Sequence, residues 1–417
     1  MTATPSDAAV PSLTALMRSG PRLTPVTTAL VAGNCAVFLL MLPFGAGLWH
    51  SPNGVQLAWG ANFGPATKDG EWWRLATAMF LHFGLVHLAM NMWALWDAGR
   101  LVERWVGPLR FALIYLASGL TGNLVSLVAQ GDRAVSGGAS GAIFGVIGAL
   151  LVCLARERRH VDPREFRWLF WGGAAFALAS LGLGFAIPGI DNGAHLGGLA
   201  SGALLGVALG RSLLHERPIG TLSRALAGGV FSLLVASFAF NVPAPRYRLG
   251  EEMQARSAIR QFIADEQRIN ERWKSIIDAG RSGSASFDEL AGSIDSDVSR
   301  GYQDSFEQLS AIALSPAAPS AADLDFLRRY ALLRGDAAHD LAEALRANDL
   351  AGIRRALDKM REAQAVARSA TAASSASSAS SASSASSTSS TSSTSSASSV
   401  SRASRASSVS AASAASR

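Results

Sequence analysis

Long runs without a charged residue dominate the first part of this chain. An apolar helix needs roughly 20 residues to cross a bilayer core of about 30 Å, and lipid offers the backbone no hydrogen-bonding partner outside a helix. The pattern therefore predicts an all-α membrane protein with about seven spanning helices, the first of them over 25–46. The charge-free runs are 23–67, 75–96, 111–131, 134–155, 168–190, 192–210 and 225–245.

Composition also indicates a membrane protein. Only 16% of the residues are charged and 49% are hydrophobic, whereas soluble globular proteins carry nearer a quarter charged residues. The net charge of +6 is also compatible with a nucleic-acid partner, but the basic residues of 1–245 lie mostly in short loops beside the apolar runs. Membrane topology explains that placement better, so we predict a lipid bilayer and no nucleic acid as the partner.

Arginine is concentrated in alternate loops between the apolar runs. The intervening loops, 47–72, 131–139 and 186–193, together hold only Lys68 and Arg133 as positive residues. Positively charged loops remain on the cytoplasmic side of a membrane. We therefore predict a cytoplasmic N-terminus, three outward-facing loops and, from the loop charges, a bacterial inner membrane. The arginine-rich loops carry Arg100, Arg104, Arg110, Arg156, Arg158, Arg159, Arg164, Arg167, Arg211, Arg217 and Arg224.

Composition divides the chain into five segments. The seventh span is the weakest, because its apolar run is short and ends at Asn241 and Pro243; a helical hairpin on the membrane surface is the alternative. Farther on, apolar residues recur at helical spacing among charges, and the last stretch of Ser and Ala cannot form a core. The predicted segments are a cytoplasmic leader (1–24), a transmembrane core (25–212), a loop with the seventh transmembrane helix (213–245), a helical soluble extension (246–368) and a disordered tail (369–417).

Polar residues within the apolar runs are candidates for function, because they are costly in a membrane. Three of the seven histidines, His82, His87 and His195, lie within the predicted spans. Asn91 follows His87 by one helical turn and so shares its face of the helix. A single membrane histidine is usually a packing residue, but three histidines with an asparagine in register favour a functional site.

A small-residue turn with a serine precedes the fourth apolar run. It contains Gly138, Ala139, Ser140 and Gly141. A helix start presents unpaired backbone N–H groups and the positive end of the helix dipole. A serine there can attack a carbonyl while the N–H groups of Ser140 and Ala139 receive the developing oxyanion.

The sixth apolar run has His195 close to its start and continues with glycines at every fourth residue from Gly198. Gly141 begins a similar pattern in the fourth run, and small residues of this kind let two membrane helices approach closely. Ser140 and His195 would then lie at matching depth on facing helices, as a nucleophile beside its base. Helix packing with an incidental serine and histidine is the alternative.

These motifs resemble those of the rhomboid family of intramembrane serine proteases over about residues 25–212. The family's Gly-x-Ser-Gly motif is similar to 138–141, and its Ala-His motif with spaced glycines to 194–202. Its second-helix motif is similar to 82–91, and its Trp-Arg pair to Trp73 and Arg74. Gly99, Glu103 and Arg104 are also similar to the family's signature at the inner end of the second helix.

The resemblance implies a six-helix rhomboid core and roles for the remaining residues. His87 and Asn91 would assist the backbone N–H groups at the oxyanion, His82 would support the second helix or ordered water, and Phe144 would pack on the base. Trp73 and Arg74 would anchor the first loop at the membrane interface. The Ser140–His195 dyad would act without a metal or other cofactor.

The predicted activity is hydrolysis of peptide bonds in or near transmembrane helices of other membrane proteins. His195 would take the proton of Ser140 and later protonate the leaving amine, and water would resolve the acyl-enzyme. One alternative is a catalytically silent rhomboid-like protein that binds membrane clients. Another is a transporter with a histidine relay, although its polar residues would cross the whole membrane rather than cluster in the outer half.

Overall fold

The computed structural model describes residues 12–13, 23–212, 220–363 and 365. These residues form helices and connecting loops, with one isolated antiparallel bridge between Asn62 and Ser136. The chain divides into two compact units, Met1–Arg246 and Tyr247–Arg417. Most of the predicted leader and the predicted disordered tail lie outside the described residues.

Among its described residues, the first unit contains seven long helices. Five of them are long and apolar enough to cross a membrane, namely α1 with its terminal turn, α3, α4, α5 and α7. The segment Arg74–Phe80 and α2 are bent by 94° where they meet and give a sixth span if counted together. The helices are α1 (Pro25–Met41), α2 (Leu85–Val106), α3 (Pro108–Gln130), α4 (Ser140–Glu157), α5 (Pro163–Ala186), α6 (Asn192–Leu209) and α7 (Thr221–Phe240).

Helix α6 coincides with the sixth charge-free run, 192–210. It carries no charged residue, although Asn192, His195 and several glycines make it less apolar than the five helices named above. Its polar positions face protein rather than lipid, as His195 and Ser201 are both buried. The seventh helix, by contrast, is one continuous and apolar helix of 20 residues, not a hairpin.

A buried carboxylate from α2 caps α1. Glu103 is fully buried and accepts the N–H groups of Val26 at 2.9 Å and Thr27 at 2.7 Å. It also accepts the Thr27 hydroxyl at 2.7 Å. The first N–H groups of a helix have no partner within it, so Glu103 satisfies them and joins the two helices. A Cβ at Gly99 would lie 3.2 Å from Thr27, which explains the glycine one turn earlier.

The loop between α1 and α2 is tied to the helices beside it. It contains the short helices Asn53–Ala58 and Gly64–Thr67. The Asn123 amide of α3 donates to the Leu75 carbonyl at 2.7 Å. Lys68 forms an ion pair of 2.5 Å with Asp132, and both side chains are almost fully buried.

The second unit is a separate set of helices around its own apolar core. A capping box at Ser286, with its hydroxyl and Glu289 bonded to each other's backbone N–H groups, begins the second of these helices. The third ends before Asn348, whose φ of 49° is left-handed, a conformation that asparagine tolerates better than most residues. The helices are α8 (Leu249–Ser282), α9 (287–310), α10 (Ala321–Arg346) and α11 (350–363).

Candidate active site

Helices α4 and α6 pack backbone against backbone. A Cβ built on Gly198 would overlap the carbonyl oxygen of Gly141, and one on Gly202 would overlap the carbonyl oxygen of Gly145. One turn farther, a Cβ on Gly206 would lie 2.8 Å from the Ala149 Cα. Only glycine permits this separation, so the glycine pattern sets the distance between the two helices.

Ser140 and His195 meet at the N-terminal ends of these helices. The Ser140 Oγ and the His195 Nε2 lie 2.9 Å apart, within the range for a nucleophile and its general base. His195 is buried, with only 6% of its surface exposed. Its ring stacks on Phe144, with the ring centroids 4.2 Å apart and the planes within 4° of parallel. The stack limits the orientations of the imidazole.

Gly138 separates Ser140 from His87. Its φ of 137° lies in a region that residues with a Cβ rarely adopt. A Cβ built there would lie 3.0 Å from both Cε1 and Nε2 of His87 and 3.8 Å from Ser140 Oγ. The absence of a side chain therefore leaves open the space between the serine and the histidine. Ala139 is fully buried directly before the helix.

The side chain of His87 is oriented by the turn before α2. Its Nδ1 accepts the Phe83 N–H at 3.4 Å, so in the neutral ring Nε2 carries the proton. That donor faces the space beside Gly138. The Asn91 amide nitrogen, one turn along the helix, donates to the His87 carbonyl at 2.9 Å and has a second N–H.

His82 supports this turn from behind. Its ring is fully buried, with its centroid 5.1 Å from that of His87 in an edge-to-face arrangement. Its carbonyl accepts the Gln56 amide at 2.9 Å. His82 therefore links the loop between α1 and α2 to His87.

Arg74 organises the same loop farther from the dyad. Its guanidinium donates to the carbonyls of Leu57 at 2.7 Å and Ala61 at 3.2 Å and pairs with Glu71 at 2.5 Å. It also lies 4.7 Å from the ring centroid of Trp73. Trp73 is half exposed, as an aromatic residue at a membrane interface would be.

The structure places Asp191, which belongs to none of the motifs described above, directly before the start of α6. Its carboxylate accepts the Ala194 N–H at 3.0 Å. The signal that was available is its position: aspartate directly before a helix is a preferred N-cap. Its contacts with Ser126 and Ser136 could not be read from the sequence, because both serines are distant along the chain.

The fold and the site together define a multi-pass helical membrane protein with a serine and a histidine in contact between two closely packed helices. Residues 69–212 match the family model of the Rhomboid domain. This part of the chain is thus similar to the rhomboid family, several of whose named members are proteases.

Several rhomboid relatives are similar to part of this chain. The chain is 50% identical over 103 residues to the rhomboid protease GluP of Bacillus subtilis (strain 168), a match that covers 25% of this chain and 20% of the relative. It is 39% identical over 116 residues to the chloroplastic RHOMBOID-like protein 9 of Arabidopsis thaliana, covering 28% and 26%.

A third relative carries a different name. The chain is 40% identical over 99 residues to the inactive RHOMBOID-like protein 8 of Arabidopsis thaliana, covering 24% of this chain and 28% of the relative. The chain thus spans 20% to 28% of the length of these three relatives. Similarity to the family therefore leaves the activity of this chain to be argued from its own residues.

Proposed function

We propose that this protein is an intramembrane serine endopeptidase with Ser140 as nucleophile and His195 as general base. The observation that carries the proposal is the 2.9 Å separation of Ser140 Oγ and His195 Nε2. A hydroxyl is a weak nucleophile until an adjacent base can take its proton. The substrates are transmembrane proteins, cut in or near a spanning helix.

The acylation step begins at the serine. His195 takes the Ser140 proton as the oxygen attacks a peptide carbonyl, and a tetrahedral intermediate forms. His195 then gives that proton to the leaving amine, and the acyl-enzyme remains. A water molecule, deprotonated by His195 in turn, hydrolyses the ester and regenerates Ser140.

The oxyanion of each intermediate lies among four donors. Two are the backbone N–H groups of Ala139 and Ser140, which lie at the N-terminal end of α4 and have no acceptor one turn back in that helix. The others are the Nε2–H of His87 and the second N–H of Asn91. Removing one such donor typically reduces kcat by about 10²–10³-fold.

The remaining site residues support this geometry. Gly138 and Gly141 leave room for the substrate backbone, and Gly198 lets α6 bring His195 to the serine. Phe144 holds the imidazole plane. His82, Trp73 and Arg74 hold the loop between α1 and α2 beside the second helix, although they stand outside the reacting atoms.

Cleavage of a model transmembrane substrate by the purified protein in liposomes tests the proposal. We expect Ser140→Ala and His195→Ala each to abolish cleavage, and a fluorophosphonate probe to label the parent protein but not Ser140→Ala. Ser232→Ala, at an exposed serine of α7, is the matched control and should cleave normally. Cleavage that persists in a folded Ser140→Ala protein would refute the mechanism.

A catalytically silent protein that binds membrane clients is the second candidate, favoured by the inactive relative. It predicts no probe labelling and no cleavage by the parent protein, with retention of a bound transmembrane client. The presence of both Ser140 and His195 in hydrogen-bond contact favours the protease.

The orientation follows from the loop charges. We place the N-terminus and the arginine-rich loops in the cytoplasm and the Ser140 end of α4 toward the outside of a bacterial-type inner membrane. Protease protection of a tag inserted near residue 300 would report the side of the second unit. With seven spans that unit lies outside; with six it is cytoplasmic.

A further inference from the structure

The carboxylate of Asp191 contacts three segments of the membrane unit. Its Oδ1 accepts the Ala194 N–H of α6 at 3.0 Å. Its Oδ2 accepts the hydroxyl of Ser136 at 2.6 Å and also the hydroxyl of Ser126 in α3. Hydrogen bonds to an ionised carboxylate are stronger than those between neutral groups, so this side chain is a strong link between the segments.

Two of the three segments carry the candidate dyad. Ala194 directly precedes His195, and Ser136 lies four residues before Ser140. Ser136 is itself held from the other side by Asn62, through two backbone hydrogen bonds of 2.9 and 2.8 Å. The loop before α4 is thus fixed between Asn62 and Asp191.

We propose that Asp191 is a positioning residue, which holds the start of α6 at the distance from the Ser140 loop that brings His195 to the serine. The inference rests on the proposed function and extends it by one residue. Asp191 is not a third member of the catalytic group, because Nδ1 of His195 has no hydrogen-bond partner among the residues that the structure describes. It acts through the backbone of α6 and the hydroxyl of Ser136.

A second aspartate in the same unit shows that an aspartate can cap a helix without contacting other segments. Asp162 caps α5 by accepting the N–H groups of Arg164 at 2.8 Å and Glu165 at 3.2 Å, both in its own helix. Asp191 uses one oxygen for its own helix and the other for two serines on different segments. A positioning role requires the contacts with these two serines, because they join α6 to the other segments.

The test compares steady-state cleavage by five variants in liposomes: Asp191→Ala, Asp191→Asn, Ser136→Ala, the double variant Asp191→Ala/Ser136→Ala, and Asp162→Ala. Small displacements of reacting groups can reduce turnover by about 10²-fold. We therefore expect Asp191→Ala to lower kcat by about 10- to 100-fold, with KM unchanged. Asp191→Asn keeps the Oδ1 acceptor for Ala194 and should restore part of the lost kcat.

The remaining variants separate positioning from helix stability. Ser136→Ala should lower kcat less than Asp191→Ala, and the double variant should be no slower than Asp191→Ala, because both changes remove the same contact. Asp162→Ala removes a cap without touching the site and should keep the parent kcat. Thermal unfolding in detergent checks that each variant is folded.

Three results would overturn the inference. They are a parent-like kcat in folded Asp191→Ala, an equal loss in Asp162→Ala, or independent, multiplying losses for Asp191→Ala and Ser136→Ala. If Asp191→Ala does not fold, Ser136→Ala alone decides, and a parent-like kcat there refutes the inference. Cleavage that does not depend on Ser140 refutes the proposed function instead, so the two failures are distinguishable.

Discussion

Helices α4 and α7 have similar hydropathy but opposite surroundings. Their mean hydropathy is 1.6 in both cases, yet 72% of α4 is buried within the protein and only 6% of α7. The enclosed helix carries the serine and packs through glycine on α6, whereas glycines of α7 such as Gly228 have open space around them. Hydropathy therefore identifies a span but not whether protein or lipid surrounds it.

The strongest test of this contrast replaces one glycine at the packed interface of α4 and α6 and one glycine on the open surface of α7. Gly198→Val would force a side chain into the Gly141 carbonyl, and we expect a loss of more than about 3 kcal/mol in the free energy of unfolding, since enclosed cores tolerate overpacking poorly. Gly228→Val adds a side chain where no atom lies within 4 Å and should leave stability nearly unchanged. Thermal unfolding in detergent measures both, and equal effects would contradict the contrast.

Two acidic residues of α2 provide a second, smaller comparison. Glu103→Ala would leave the buried N–H groups of Val26 and Thr27 without their acceptor, and we expect a loss of about 3 kcal/mol. Asp97→Ala, at an exposed position of the same helix, should have little effect. Urea or thermal unfolding in detergent would check this, and a stable Glu103→Ala protein would show that the cap of α1 is dispensable.

The smallest expected effect concerns the ring stack on His195. An aromatic pair contributes about 0.5–1.5 kcal/mol beyond its buried area, so Phe144→Leu should lower kcat by about two- to tenfold. Phe240→Leu changes a phenylalanine that is 90% exposed on α7 and is the matched control. Cleavage rates at saturating substrate measure both, and a normal kcat for Phe144→Leu would argue that α6 alone orients the imidazole.

Much of the membrane unit could be predicted because its signals are local. The predicted first helix, 25–46, corresponds closely to Pro25–Phe44, and the charge-free runs enclose α3 to α7 with small differences at their ends. The motif around Ser140 lies at a helix start, as its glycines indicated. A run of apolar residues and a helix-breaking turn are each contained in a short stretch of chain.

Other features could not be predicted, because they depend on residues far apart in the chain. The 94° bend before α2, the capping of α1 by Glu103 and the contacts of Asp191 with two serines all join separate segments. The burial of the polar residues of α6 is a feature of the same kind, because a polar side chain is acceptable within a membrane only where protein surrounds it.

By itself, the sequence determined that the chain is a multi-pass helical membrane protein, through the cost of exposing charges and backbone to lipid. Its motifs also determined which serine and histidine to examine. Only the tertiary structure decided that α4 and α6 meet at their glycines, that Ser140 Oγ and His195 Nε2 are 2.9 Å apart, and that Asp191 links their segments. Such distances depend on how helices pack, which is a property of all the contacting side chains together.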